Sequence, residues 1–214
     1  MDRNDRIVSA LLDRHGRTFT EELGIEIRDN TPAPLFQTFC LSLLFSARIR
    51  ASIAINAMRG LLDAGWTTAG HMARASWEAR VRVLGEAGYA RFDEKTSTML
   101  AEGSQLLIDD YGGDLRRLRN KAQENTLEER RLLQEIKGLG DTGVDIFFRE
   151  VQAAWPELRP FADRKSLEGA ARLGLPTQAE ALSNLVTERD FPRLVTALVR
   201  MELDGDADKL LASA

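Results

Sequence analysis

The chain has 214 residues, 29 basic against 33 acidic side chains, and a formal net charge of −4. Hydrophobic residues at 43% and charged residues at 29% exclude wholesale disorder and allow one large domain or two small ones. No stretch approaches the ~20 apolar residues of a membrane helix, and the charged N-terminus has no apolar secretory core, so a cytoplasmic protein is expected. With Cys40 as the only cysteine, internal disulfides and cysteine-ligated iron–sulfur clusters are excluded.

Helical periodicity recurs along the whole chain, and convincing period-2 alternation does not. Asp2 is suited to cap a first helix carrying Ile7, Leu11 and Leu12, which stops near Gly16. Residues 17–34 have no strong period. Pro34 then opens a very apolar helix from Leu35 to Phe45, fit for the middle of a bundle. Further helices are expected over 51–64, after Thr67-Thr68, over 77–84, and over 93–111 with a stop at Gly112-Gly113. Asp114 caps a segment to Lys121, and Thr126 with Glu129 reads as a capping box for 127–136. A helix over about 142–155 and three short ones complete an all-α chain without internal repeats.

Charge is uneven. Between Arg48 and Arg91 seven arginines face three acids, whereas residues 1–35 and 177–214 are both net acidic. A local polyanion surface and a set of solvated helix faces both accommodate this pattern.

The most informative segment is Ile136-Lys137-Gly138-Leu139-Gly140-Asp141-Thr142-Gly143. One helix ends, two glycines flank an apolar residue, and a second helix begins at once. Glycines tolerate positive φ and the close approach of another backbone. The amides of Gly140 to Gly143 at a helix N-terminus form an anion site, able to hold a DNA phosphate without reading a base. An ordinary tight turn between two helices is the alternative.

The segment resembles the helix–hairpin–helix of the endonuclease III-like DNA glycosylase superfamily, apolar-x-Gly-apolar-Gly-x-x-(Thr/Ala). Further residues match in order from about Pro34 to Leu175. Leu43-Leu44-Phe45-Ser46-Ala47-Arg48 is similar to the family segment whose last residue fills the gap left by a flipped base. Gly88-Tyr89-Ala90-Arg91 is similar to its duplex wedge. Phe161-Ala162-Asp163 matches the catalytic aspartate that opens a helix after a proline-containing loop, at a spacing slightly longer than usual.

The chain departs from that family in three ways. Thr142 stands where bifunctional members carry the Schiff-base lysine, and Lys137 lies on the wrong side of the glycines. Without an amine there is no covalent attack on C1′, so lyase activity is expected to be weak or absent. The four-cysteine cluster is missing. Asp141 sits near the expected phosphate, where it repels unless it turns away or caps the helix.

The resemblance implies a two-lobed, all-α fold: a bundle of 33–160 carrying the hairpin, and a second lobe of 1–32 with 161–214. It implies base-excision repair by hydrolysis of the N-glycosidic bond of a damaged or mismatched base in double-stranded DNA. Asp163 is the catalytic candidate, stabilising an oxocarbenium-like sugar, and also a candidate helix cap. Gly138, Gly140, Thr142 and Gly143 are the candidate phosphate site. Arg48 and Tyr89 are the candidate gap-filler and wedge, and Arg50 and Arg91 further phosphate contacts. A monomer acting at the nucleoid is implied, with no cofactor beyond a monovalent cation at the hairpin.

Two other readings remain open: a catalytically silent DNA- or abasic-site-binding protein on the same fold, and a helical protein-interaction module. No metal site is expected. His15 and His71 lack ligand-spaced partners, and Asp204, Asp206 and Asp208 lack the closing glutamate of an EF-hand and read as an acidic tail.

Overall fold

The computed structural model describes residues 2–213, and no strand occurs among them. The helices are α1 (Arg3–His15), α2 (Phe19–Glu22), α3 (Pro32–Phe45), α4 (Ala51–Asp63), α5 (Ala69–Arg74), α6 (Trp77–Glu86) and α7 (Asp93–Tyr111). They continue as α8 (Leu115–Lys121), α9 (Thr126–Gln134), α10 (Asp141–Val151), α11 (Arg164–Leu173), α12 (Ala179–Ser183), α13 (Phe191–Asp204) and α14 (Ala207–Ser213). None of them is long and apolar enough to cross a membrane.

Local punctuation explains most of the ends. Asp2 accepts from Asp5 N in a reciprocal capping box, and Asp114 accepts from Arg116 N. Pro32 takes the first turn of α3, and a left-handed Gly112 ends α7. The box expected at Thr126 and Glu129 is replaced by Asn125, whose side chain accepts from Leu127 N and Glu128 N, both at 3.1 Å. Thr126 is thereby drawn into the helix, and Glu129 is buried.

The chain divides into two compact units, 1–22 with 148–214 and 23–147. These boundaries differ from the 32/33 and 160/161 divisions expected from sequence. Residues 23–32 join the following bundle because Ile25 and Ile27 are buried and the 3-10 turn Ile27–Asp29 packs on α3. Residues 148–160 join the segment after them: Phe148 packs edge-on against Phe161 at 5.6 Å, and Gln152 bonds both backbone groups of Phe161.

In the first unit, α1 and α11 pack on α13 and α14 lies against α1 and α11, burying Ile7, Leu11, Leu173, Leu194, Leu198 and Leu210. Buried Glu150 fastens the start of α2 there, its carboxylate accepting from Thr20 N at 3.0 Å and Thr20 Oγ1 at 2.7 Å. In the second unit, α3 packs against α4, α7 and α8, and α5 and α6 lie on α7. α3 is apolar on nearly all faces, which explains its position: Leu35, Phe36, Phe39, Leu41, Leu43 and Leu44 are all buried.

Candidate nucleic-acid interface

The hairpin between α9 and α10 is built on one glycine at positive φ and one packing glycine. Gly138 has φ +96°, and a Cβ there would lie 2.6 Å from Met99 Sδ. Leu139 turns inward and is buried with Ile136. The first helical bond of α10 runs from Val144 N to Gly140 O at 3.0 Å, so the amides of Asp141, Thr142 and Gly143 have no helical acceptor. Gly140, Asp141 and Thr142 are exposed, and a Cβ on Gly140 would meet open space. Gly143 is different. It is buried against Ser46 and Leu139, with a Cβ reaching 2.6 Å from Ser46 Oγ, so it is a packing residue and not the phosphate contact expected of it.

Asp141 turns back toward α9. Its Oδ1 accepts from Gln134 Nε2 at 2.6 Å and lies 3.9 Å from Arg130 Nη1. The carboxylate still contributes a negative charge beside the helix N-terminus, where an incoming anion would feel it. If the hairpin holds a DNA phosphate, Asp141→Asn is expected to tighten duplex binding about two- to fivefold, the ~0.5–1 kcal/mol of one surface charge. Fluorescence anisotropy on a labelled duplex checks this; unchanged or weaker binding removes the anion site from the hairpin. Lys137 points elsewhere, its Nζ 3.1 Å from Glu102 Oε2, and does not substitute for the missing lysine at Thr142.

Beside the hairpin, within the same unit, lies a pocket of about 520 Å³. Leu43, Ser46, Ala47 and Arg48 come from the end of α3 and the turn after it. Arg91 and Phe92 come from the turn before α7, Lys95, Thr96 and Met99 from its first turns, and Gly138 from the hairpin. Three cations and no acid line it, over an apolar floor of Leu43, Phe92 and Met99. The Arg91 guanidinium lies 5.3 Å from the centre of the Phe92 ring. Lys95, Phe92 and Met99 were missed in sequence because only the opening turns of α7 bring them to one face, at i, i+3 and i+7.

Several expected roles change. Tyr89 is 0% exposed, and its hydroxyl donates to the Leu44 carbonyl at 2.7 Å. Burial pushes its phenol up to about 12. A ring anchored in this way is a core residue and not a duplex wedge. Arg91, two positions on, reaches the pocket instead. Arg48, the candidate gap-filler, lines the pocket, whereas Arg50 is exposed and outside the lining.

Asp163 caps α11 in the other unit and is 7% exposed. Its Oδ1 accepts from Ser166 N at 2.8 Å and lies 2.5 Å from Ser166 Oγ. Its Oδ2 is paired with Arg149 Nη1, and Arg149 is 2% exposed. Both carboxylate oxygens are therefore engaged, and the charge is balanced by a buried guanidinium. Arg149 and Glu150 went unnoticed in sequence; the available signal was a charged pair inside the otherwise apolar run Ile146 to Val151.

The structure also gives His15 partners that its isolation in sequence did not suggest. Its Nε2 lies 3.4 Å from Asp206 Oδ2 and its Nδ1 3.6 Å from Asp204 Oδ2. Comparison of the chain with protein-family models, with curated proteins and with solved structures finds no match.

Proposed function

We propose that the protein binds double-stranded DNA through the hairpin and the adjoining basic pocket, and removes a damaged or mismatched base by hydrolysis of its N-glycosidic bond. The observation that carries the reading is the position of Gly138. It belongs both to the turn that opens α10 and to the wall of the pocket rimmed by Arg48, Arg91 and Lys95. Exposed amides at a helix N-terminus hold one phosphate, and the cations draw the neighbouring backbone. The apolar floor suits the face of an unstacked base.

In this reading Asp163 stabilises the developing oxocarbenium charge and water completes the displacement. Thr142 offers no amine to attack C1′, so the product is an abasic site in an intact strand. A second reading, a silent DNA- or abasic-site-binding protein, is favoured by one specific observation: Arg149 holds Asp163 Oδ2. A guanidinium in contact with the carboxylate cancels much of its field at a third charge nearby.

Incubation with duplexes carrying uracil, oxidised pyrimidine, 8-oxoguanine mispairs, hypoxanthine or alkylated purines tests both. Strand cleavage revealed only by alkali is the expected result. Silence across the panel with tight, salt-sensitive binding to abasic duplex supports the second reading. No salt-dependent affinity for DNA in any form overturns both.

A further inference from the structure

The geometry points to a divalent transition-metal site formed by His15, Asp204 and Asp206. His15 ends α1, and the two aspartates flank Gly205, whose left-handed φ of +66° turns the chain between α13 and α14. One donor atom from each residue lies within 4.8 Å of the other two.

The imidazole is the argument. His15 is 8% exposed, and its Nε2 is buried without a hydrogen-bond partner. In its metal-binding, neutral form an imidazole has one N–H and one lone pair. The two nitrogens of His15 face Asp206 Oδ2 at 3.4 Å and Asp204 Oδ2 at 3.6 Å. Whichever nitrogen carries the lone pair confronts a carboxylate, a repulsive arrangement that a cation between them reverses. Donors around a tetrahedral Zn²⁺ stand about 3.4 Å apart, given bond lengths near 2.1 Å. The His15–Asp206 separation already matches, and exposed Asp204 has freedom to close the remainder. One imidazole with two carboxylates selects zinc-like ions over calcium, which takes six to eight oxygens.

Arg14 Nε at 3.0 Å and Lys209 Nζ at 3.3 Å already attend Asp206, so this carboxylate draws cations. Both head groups reach solvent and are free to leave when an ion enters. The bound ion would join the end of α1 to the α13–α14 turn, holding together the first and last helices of one unit.

The test uses the tag-free full chain, stripped with chelator and titrated with Co²⁺ and then Zn²⁺. One ion per chain is expected, with visible Co²⁺ absorption. Zn²⁺ at about a hundredfold excess over Kd should raise Tm by roughly 5–10 °C. Asp204→Asn, at an exposed position, and His15→Gln should each weaken binding about tenfold or more. His71→Ala, which removes the other histidine, should leave binding unchanged. Absence of saturable binding overturns the site, as does binding that survives Asp204→Asn and His15→Gln or disappears in His71→Ala.

Discussion

Asp163→Asn is expected to lower the unfolding free energy by about 3–5 kcal/mol, measured by urea denaturation at pH 7. Asparagine keeps the size of the side chain and still accepts from Ser166 N, so the cap on α11 survives; Asp and Asn are near-equal N-caps. The charge does not survive. Arg149, 2% exposed and with a buried Nε lacking a hydrogen-bond partner, is left facing a neutral amide. If capping were the whole role of Asp163, the loss would stay well below ~1 kcal/mol. The size of the effect therefore decides between cap and ion pair. Removing both charges in Arg149→Met/Asp163→Asn should recover all but about 1–2 kcal/mol, because an absent pair costs less than a broken one. That double variant is also the right reagent for catalysis, since its expected loss of stability is small enough to keep it folded. A glycosylase that depends on Asp163 loses base excision in it and keeps its DNA affinity. Excision that persists removes Asp163 from the chemistry.

The contrast between the two sites follows from how far apart their residues lie in the chain. The hairpin was legible because its signals are local: Ile136 and Leu139 tuck in, Gly138 takes the positive φ, and α10 begins directly after Gly140. Helix caps at Asp2 and Asp114 were legible for the same reason. The displaced cap at Asn125 shows the limit, since two adjacent residues both had cap chemistry and only the backbone angles of residue 125 chose between them. Burial was not legible. Gly88-Tyr89-Ala90-Arg91 reads as a polar, exposed turn, yet the Tyr89 ring goes inward to bond the end of α3. The Arg149–Asp163 pair spans 14 residues and the partners of His15 lie at the opposite end of the chain. Such pairings are decided by helix packing, which single-helix periodicity does not contain. The unit boundary inside α10 has the same origin, because one continuous helix carries residues belonging to two cores.

Arg48→Ala/Arg91→Ala/Lys95→Ala is expected to weaken duplex binding roughly 10²–10³-fold at ~0.1 M salt, and equally on every sequence. The magnitude follows from counterion release. Each phosphate neutralised contributes about −0.9 to the slope of log affinity against log salt, so three lost contacts flatten that slope by about 2.7. At tenfold below 1 M salt, the same 2.7 is the expected loss in log affinity. All three side chains are exposed, so the variant should fold as the parent does, and matching urea curves verify it. The net charge of −4 does not oppose this. Screening confines charges to about 10 Å at ~0.1 M salt, so an anion at the pocket responds chiefly to the side chains that line it, three cations and no acid. Asp141 is the acid at the hairpin itself, and the opposite response to its neutralisation fixes the sign of the local field. A triple variant that loses affinity without changing the salt slope would show that these side chains contact bases and not phosphates. A triple variant that binds as the parent does would move the DNA surface away from this pocket.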